Sequence, residues 1–232
     1  MTWQDIFDNE NLSWATSTDV IITEIDTEPD DIAYKLHSSI FDCDKETFIS
    51  YVNYMQDIVG TPSHVAEFGC GNASTLYWFN KMHGTEVYGV DISSSLIERC
   101  KRLLPTQKDN FFVSSTYIPI EDDSVDWFLC NSVFQYLTHQ QALVVLQEML
   151  RCSRNGVVIS DVKNKKTEAD FKTAQAKRQG LTIEQLAEKY KDTPLSFYDK
   201  SFFDGLNNVK IVPMLDKYPD AEFEPYTVII TK

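Results

Sequence analysis

Short apolar runs that alternate with amphipathic segments are the feature of this sequence that most restricts its fold. The segments between the runs carry apolar residues at helical spacing, and several begin with residues typical of helix N-termini. Strands that alternate with helices form a mainly parallel sheet. The sequence therefore predicts a doubly wound α/β fold. The runs are VAEF (65–68), EVYGV (86–90), NFFV (110–113), VDWFLC (125–130) and GVVISDV (156–162).

Two further apolar runs follow a long polar segment. NVKIVPML (208–215) and YTVIITK (226–232) are rich in β-branched residues and predict a closing strand pair. The prediction is a mainly parallel seven-stranded sheet with a C-terminal antiparallel strand. We expect one domain over 1–232. Its parts are an N-terminal cover (1–59), a ligand-binding core (60–162), a helical lid insertion (163–195), and a closing helix and strands (196–232).

Capping residues place two of the helices. Ser95 with Glu98, and Thr138 with Gln141, have the spacing of capping boxes. Pro105 predicts the end of the helix that begins near Ser95.

Charge disfavours several kinds of partner. The 232 residues carry a net charge of −14, which opposes binding to nucleic acid and to anionic membranes. Residues 1–46 hold twelve acids against Lys35 and Lys45, a balance of −10. Residues 1–10 lack the basic start and apolar stretch of a signal peptide, and no apolar run approaches the ~18 residues of a membrane span. We therefore expect a cytoplasmic protein.

Cysteine usage predicts neither disulfides nor a metal site. The five cysteines, at positions 43, 70, 100, 130 and 152, are odd in number and include no C-x-x-C pair. This pattern favours reduced core thiols over disulfides or zinc ligands.

A glycine loop follows the first predicted strand in VAEFGCGNAS (65–74). Gly69 and Gly71 remove Cβ atoms, so a ligand can lie against the main chain where a helix begins, with Ser74 as the expected N-cap. Asp91 ends the next strand 20 residues beyond Gly71, near the spacing at which an acid binds ribose hydroxyls. The loop and this acid together predict a nucleotide-binding crevice.

The residues around the loop restrict the type of nucleotide. Ser74 occupies the sixth position of the pattern from Gly69, where a dinucleotide-binding loop has glycine or alanine, and no P-loop motif is present. Glu67 beside the loop would repel a pyrophosphate, but it suits a network around an α-amino group or water. These residues point to an adenosine ligand without phosphates, S-adenosylmethionine.

Four segments together resemble the class I S-adenosylmethionine-dependent methyltransferases, of the type that acts on small molecules. They have the family's order and spacing over about residues 60–162, and are VAEFGCGNAS, VYGVDIS, YIPIEDDSVDWFLCNSVFQYL and MLRCSRNGVVISDV. The resemblance implies that Glu67, Gly69 and Gly71 line the methionine part of the cofactor. It also implies that Asp91 binds the ribose and that Ile92 lies against the adenine.

Other positions of the family pattern differ or are less specific. Asn131 matches a position that commonly faces the cofactor. Many relatives bind the adenine amino group with an acid, but the matching residues here are Ser114, Ser115 and Thr116, so a hydroxyl or a backbone amide would replace it. Ala73 stands in place of the third glycine of the family loop.

Catalytic residues are harder to predict, because methyl transfer from a sulfonium needs alignment more than a catalytic triad. A base matters when the acceptor must lose a proton during attack. Tyr136 and His139 follow the fourth strand and are the catalytic candidates, His139 as a base. Gln135, Tyr198 and Trp14 are candidates for contacts with the substrate. Each aromatic candidate also has a structural interpretation, and His139 equally fits an exposed first-turn residue of a helix.

Charge and aromatic patterns point to different acceptors. Trp3, Phe7 and Trp14 in the acidic leader would suit a cationic or amine acceptor. The stretch from Lys163 to Arg178 has six cations against two acids and would suit an anionic one. We expect transfer to nitrogen or oxygen of a small molecule. Methylation of protein or RNA, metal-assisted O-methylation with Asp161 as a ligand, and a non-catalytic cofactor-binding subunit stay open.

Overall fold

The computed structural model describes residues 4, 28–38, 44–215 and 220–232, which include a seven-stranded sheet. The strand order is β3-β2-β1-β4-β5-β7-β6. β1 to β5 pair in parallel, and β7 is antiparallel to both of its neighbours. The predicted fold class is confirmed. The strands are β1 (His64–Phe68), β2 (Glu86–Asp91), β3 (Phe111–Val113), β4 (Val125–Asn131), β5 (Ser153–Val162), β6 (Val209–Pro213) and β7 (Tyr226–Thr231).

Helices cover both faces of the sheet. The α-helices of the described residues are α1 (Pro29–Ser38), α2 (Lys45–Val59), α3 (Ser74–His83), α4 (Ser94–Leu103), α5 (His139–Cys152), α6 (Glu168–Gln179) and α7 (Ile183–Lys189). Short 3₁₀ helices span Pro105–Asn110, Phe134–Tyr136, Lys165–Thr167, Lys200–Phe203 and Ala221–Phe223. The closing helix predicted after residue 196 is therefore only the four-residue turn Lys200–Phe203. Asp199 caps this turn through the Ser201 amide, and the chain leaves it in an extended conformation at Asp204.

The two faces of β4 show why both sides of the sheet are buried. Trp127 and Leu129 pack with the helices α1 to α4, whereas Phe128 and Cys130 pack with α5. Successive side chains of a strand point to opposite faces, and parallel strands flanked by helices are apolar on both. This explains why the runs in the sequence are continuously apolar instead of alternating.

The predicted helix starts are partly right. Thr138 and Gln141 form the expected capping box, and the helix before Pro105 ends at Leu103. The Ser95–Glu98 box is wrong. α4 begins two residues earlier, with Ser93 as its N-cap, because the Asp91 carboxylate accepts a hydrogen bond from the Ser93 amide and sets the chain direction there.

The N-cap expected at Ser74 is also wrong. α3 begins at Ser74 itself, and the capping position is Ala73, which has a left-handed backbone (φ 57°) and no side-chain cap. Glycine is the residue that adopts this conformation at least cost. The third glycine of the family loop thus corresponds to a position where the backbone conformation itself favours glycine.

The insertion between β5 and β6 is helical, as predicted, and consists mainly of α6 and α7. Phe171 of α6 packs edge-on against Phe197 and Phe223, at ring-centroid distances of 5.5 and 5.3 Å. These three phenylalanines form a small apolar cluster separate from the two main ones. The insertion is therefore held by an apolar cluster of its own, after the C-terminal end of β5.

The remaining sequence predictions concern cysteines, the leader and the membrane. Cys70, Cys100, Cys130 and Cys152 are buried free thiols. Cys43 and the leader aromatics, among them the substrate candidate Trp14, lie outside the described residues. None of the described helices has both the length and the apolar character needed to cross a bilayer.

Candidate functional site

The loop after β1 is held in a conformation that requires glycine. The amides of Gly69 and Cys70 both donate to the Val90 carbonyl at the end of β2, over 2.7 and 3.1 Å. Gly69 and Gly71 have φ angles of 71° and 52°. A Cβ atom on Gly69 would lie 2.2 Å from Cγ2 of Val133, which follows β4. Glycine at position 69 therefore lets the loop pack closely against the segment after β4 at the carboxyl edge of the sheet.

Asp91 joins this loop to the start of α4. One carboxylate oxygen accepts from the Gly71 amide and the other from the Ser93 amide, each over 2.9 Å. The side chain is buried. Asp91 thus joins the glycine loop to the start of α4 at the carboxyl edge of the sheet, where the sequence predicts a ribose contact.

Glu67 is a buried acid without a hydrogen-bonding partner in the described residues. It is 4% exposed, and none of the hydrogen bonds of those residues reaches its carboxyl group. Burial, with a contribution from the charge of Asp91, raises the pKa of Glu67 to about 8. A carboxylate in such a place is stabilised by a nearby cation. S-adenosylmethionine has a sulfonium and an α-ammonium group, so this observation fits that cofactor.

The other predicted cofactor residues lie along the same edge. Ile92 directly follows Asp91 and is half-buried, and Asn131 is buried at the end of β4, where its Oδ1 accepts from the Ser160 hydroxyl (2.8 Å). Ser115 is exposed and Thr116 half-buried in the loop after β3. The preceding Ser114 amide donates to the Asp91 carbonyl (2.9 Å), so this loop lies beside the end of β2.

The candidates near β4 have different surroundings. Gln135 is buried, its Nε2 donates to the Ser132 carbonyl (3.1 Å), and its Oε1 has no hydrogen-bond partner within the described residues. Tyr136 is half-buried at the end of the 3₁₀ turn Phe134–Tyr136. An unpartnered buried carbonyl costs about 1–3 kcal/mol. Gln135 thus keeps an acceptor atom that a donor on a ligand would satisfy.

Two further candidates have structural roles. Tyr198 is fully buried, and its hydroxyl lies 2.9 and 2.8 Å from the carbonyls of Phe134 and Leu137. It holds the segment after β4 and is not placed to contact an acceptor. His139 is the exposed first residue of α5, and its ring lies against Tyr198 and Phe202. This position matches the first-turn interpretation of His139, and we do not propose it as a base.

A polar cluster at the ends of β4 and β5 was not among the predicted site residues. The Ser132 hydroxyl donates to Asp161 Oδ2 over 2.6 Å, and Lys163 Nζ contacts Asp161 Oδ1 (3.1 Å) and Asp220 Oδ2 (3.4 Å). Ser132, Asp161 and Lys163 are all buried. From the sequence alone, Asp161 was a candidate only as a metal ligand. Ser132 and Asp161 are 29 residues apart, so only the pairing of β4 with β5 brings them together.

The two charges of this cluster affect each other's protonation. Burial raises the pKa of Asp161, against the opposing attraction of Lys163 and the hydrogen bond from Ser132. Burial alone would lower the pKa of Lys163, but Asp161 and Asp220 outweigh it and raise that pKa. The raised pKa of Lys163 favours its ammonium form, and the raised pKa of Asp161 means that it takes up a proton more readily than an exposed carboxylate.

The described residues contain no group of three or more His, Cys, Asp and Glu side chains arranged to hold a metal ion. Both oxygens of Asp161 are instead engaged by Ser132 and Lys163.

Comparisons with known proteins agree with this geometry. Residues 66–160 match the family model described as a methyltransferase domain. A search of curated proteins found no match. Magnesium protoporphyrin IX methyltransferase from Synechocystis PCC 6803 has a similar structure, with a TM-score of 0.61 and 13% identity over 99% of this chain and 97% of the other.

Two other solved structures share the fold. Geranyl diphosphate C-methyltransferase from Streptomyces coelicolor A3(2) has a TM-score of 0.57 and 11% identity, over 92% of this chain and 87% of the other. A possible histamine N-methyltransferase from Thermotoga maritima has a TM-score of 0.52 and 16% identity, over 79% and 87%. At such identities the likeness shows the fold.

The chain contains a methyltransferase domain over residues 66–160 and shares its fold with solved S-adenosylmethionine-dependent methyltransferases. It is an enzyme, and its cofactor is S-adenosylmethionine, which supplies an electrophilic methyl group when bound. The buried Glu67, which has no hydrogen-bonding partner in the described residues, fits the positive charges of this cofactor.

Proposed function

We propose that the protein transfers a methyl group from S-adenosylmethionine to nitrogen or oxygen of a small-molecule acceptor by direct displacement. The observation that carries the acceptor class is the enclosure of the sheet edge beyond β4. Ser132, Gln135 and Asp161 are each at most 6% exposed. A site closed in this way suits a compact molecule that can be surrounded. A polymer would need an open strip of surface.

The charges of the insertion support this choice. Four of the six cations between Lys163 and Arg178 are paired with carboxylates. Lys165 and Lys172 both contact Glu168, and Arg178 contacts Asp220 and Glu222. The positive stretch of the sequence is thus largely neutralised in the fold, which weakens the case for an anionic polymer such as RNA.

The proposed roles of the residues follow from their positions. Glu67, Gly69 and Gly71 would contact the methionine part of the cofactor, and Asp91 its ribose. A second set would contact the adenosine side or the methyl group: Ile92, Ser115, Thr116 and Asn131. Gln135 and Tyr136 would orient the acceptor.

Alignment is the main contribution to the rate that these residues make. The loop fixed by the Val90 carbonyl and Asp91 holds one reactant, and the segment after β4 holds the other. Orienting two reactants in this manner can account for several kcal/mol of the barrier. Enclosure of the edge also excludes water, which would compete as an acceptor.

The proposal is tested by incubating the enzyme with cofactor labelled on the methyl carbon and a small-molecule extract of the source organism, and identifying the labelled product by mass spectrometry. We expect one labelled compound of low mass. Label recovered only in protein or RNA would favour those acceptors. We propose a cytoplasmic location, in keeping with the buried free thiols of the described residues.

The sequence alone left open a cofactor-binding subunit without activity, and this role competes with the proposed one. Isothermal titration of the cofactor into the protein separates the two, because binding without any labelled product across the extract would favour a cofactor-binding subunit. Metal-assisted O-methylation predicts loss of turnover with EDTA, whereas we expect the rate to be unchanged.

A further inference from the structure

The Ser132–Asp161 pair has an uncommon backbone conformation at both positions. Ser132 has a φ angle of 56° and Asp161 one of 55°, and neither is glycine. A non-glycine residue in this region costs on the order of 1 kcal/mol or more, and it persists only where surrounding structure imposes it. Two such residues at adjacent strand ends, joined by a 2.6 Å hydrogen bond, form one strained unit.

The unit lies one strand away from the cofactor crevice. β4 pairs with β1, whose glycine loop contacts Val133, and β5 is the next strand. Ligands of open α/β sheets bind outside the carboxyl ends of the strands, around the point where strand order reverses. The sheet reverses between β1 and β4. A group that reacts with the cofactor methyl therefore approaches from the side of Ser132 and Asp161.

The hydrogen bonding of Ser132 leaves its oxygen ready to accept. Its hydroxyl proton is donated to Asp161, and no described donor reaches its Oγ. The buried Oε1 of Gln135, on the side chain bonded to the Ser132 carbonyl, also lacks a donor. Two acceptor atoms without donors therefore flank this end of β4. They match a ligand that brings hydroxyl or amine hydrogens.

We propose that Ser132 and Asp161 form a proton relay for a hydroxyl acceptor, so that the protein methylates an alcohol on oxygen. This inference rests on the proposed function and makes its acceptor class specific. An oxygen lone pair of the alcohol forms the bond to the methyl carbon, and the carbon–sulfur bond breaks with its electron pair passing to sulfur. The alcohol proton moves to Ser132 Oγ, while the serine proton moves to Asp161 Oδ2.

An alcohol is the acceptor that needs such a relay. A free amine attacks through a neutral lone pair, and a carboxylate has no proton to lose, so neither gains much from a base during attack. Lys163 holds the other oxygen of Asp161 and so orients Oδ2 towards Ser132. Ser132 is the catalytic residue in this scheme, because it contacts the alcohol. Asp161 is a positioning residue, because it acts through Ser132, whose proton it takes up.

The segments covering the pair are held partly by an exposed ion pair. Phe171 lies beneath Lys163, with Nζ 5.4 Å from the ring centroid, and Asp220 contacts both Lys163 and Arg178. Arg178 is 55% exposed, and ion pairs of that kind contribute little to stability. Movement of α6 together with the segment at Asp220 would admit the alcohol and close over it again.

The pH dependence follows from the groups around Asp161. These are the Ser132 hydroxyl from β4, Lys163 on its own strand, and Asp220 with its partner Arg178 of α6. Asp161 accepts a proton only when ionised. The rate should therefore rise with pH through the pKa of Asp161 and then level off, and this acidic limb should disappear when Asp161 is replaced.

The test uses the full chain, labelled cofactor, and the extract fraction in which the wild-type enzyme forms its labelled product. Asp161→Asn places at position 161 a residue that tolerates the left-handed backbone. Ser132→Ala breaks the relay but keeps the carboxylate that pairs with Lys163. Asp126→Asn is the matched control, because Asp126 is a partly buried, ion-paired acid at the opposite end of β4. Cofactor affinity and melting temperature are measured for each variant.

We expect a methyl ether as product. Asp161→Asn and Ser132→Ala should lower kcat about 100-fold or more, with cofactor affinity within twofold of wild type, and Asp161→Asn should lose the acidic limb. Asp126→Asn should keep the wild-type kcat. An N-methyl product would overturn the relay. So would a kcat within threefold of wild type in folded Ser132→Ala, or an unchanged limb in Asp161→Asn. A wild-type enzyme that binds cofactor and methylates nothing would contradict the proposed function itself.

Discussion

At the scale of single residues, Asp91 connects two parts of the candidate site. It caps no helix directly, but it fixes Ser93 as the N-cap of α4 and closes the loop at Gly71. The 20-residue spacing in the sequence pointed to a ligand contact. The structure adds that the same carboxylate organises the two loops between which the ligand would lie.

Replacing Asp91 by alanine should weaken S-adenosylmethionine binding at least tenfold, on the order of 1.4 kcal/mol or more, because ribose hydrogen bonds are lost. Isothermal titration measures the change. Asp109→Ala is a suitable control, since this acid is exposed in the 3₁₀ helix Pro105–Asn110 and its removal changes the net charge equally. Equal affinities for the two variants would show that the site is misplaced.

Glu67 should make cofactor binding depend on pH. Its pKa of about 8 means that the carboxyl group is mostly protonated at pH 7 in the free protein. A cation bound beside it favours the ionised form, so binding should release a proton and strengthen as pH rises from 6 to 8. Titrations in two buffers of different ionisation enthalpy measure the released proton. Glu67→Gln should bind with little pH dependence, and a wild-type profile in that variant would contradict this role.

The same shift predicts an effect on stability. The folded protein keeps this proton at pH values where the unfolded chain, with a pKa of 4.5, has lost it. The contribution of Glu67 is therefore fully present below about pH 4.5 and is lost as pH rises through about 8. We expect the melting temperatures of wild type and Glu67→Gln to be similar at acidic pH. They should differ most at alkaline pH, where the buried charge destabilises only the wild type.

Sequence reasoning could propose the cofactor residues because they form a local pattern. A strand, two glycines and an acid 20 residues later are visible without tertiary structure. It did not find Ser132 as a partner of Asp161, since nothing local marks a left-handed backbone at a serine or an aspartate. It also assigned Tyr198 to the substrate, because an aromatic residue after a polar segment gives no information on where its hydroxyl bonds.

At the scale of elements, the insertion between β5 and β6 is anchored separately from the main core. Phe171, Phe197 and Phe223 form its apolar contact, and Arg178 and Lys163 add ion pairs to Asp220. Small satellite clusters open at lower free energy than the core. The insertion is therefore the element most able to move while the sheet stays folded.

Phe171→Ala should loosen the insertion without unfolding the domain. Hydrogen exchange of α6 and α7 should become at least tenfold faster, while the melting temperature changes by only about 2 °C. Phe203→Ala is the contrasting variant, because Phe203 is buried in a main core cluster with Phe134 and Tyr226. It should lower the melting temperature clearly. The prediction fails if both variants destabilise the protein alike.

Element positions were predictable where a pattern repeats over several residues. The seven apolar runs and the Thr138–Gln141 box needed no long-range information. The predicted start of α4 was two residues too late, because the side chain that decides it, Asp91, belongs to the preceding strand. Boundaries of this kind depend on contacts between elements.

At the scale of the whole molecule, the sheet is completed by β7, which lies between β5 and β6. Gly156 permits this placement. A Cβ atom there would lie 2.0 Å from the Ile230 carbonyl oxygen, a backbone atom that cannot move without breaking the β5–β7 ladder. The sequence showed the strand but not the close approach that the glycine allows.

Gly156→Ala should therefore destabilise the protein by more than about 2 kcal/mol, as overpacking against fixed backbone does. Urea unfolding measures this loss. Asn155→Ala is the matched control at the neighbouring exposed position and should stay within about 0.5 kcal/mol of wild type. A Gly156→Ala protein as stable as the control would show that the two strands can separate locally.

The position of β7 between β5 and β6 also determines the order in which the chain can assemble. Within the described sheet β6 pairs with β7 alone, so during synthesis β6 emerges from the ribosome before its partner strand. Until residue 231 is available, β5 presents an open, strongly apolar edge. A nascent or truncated chain that ends before residue 226 would be prone to edge-to-edge aggregation.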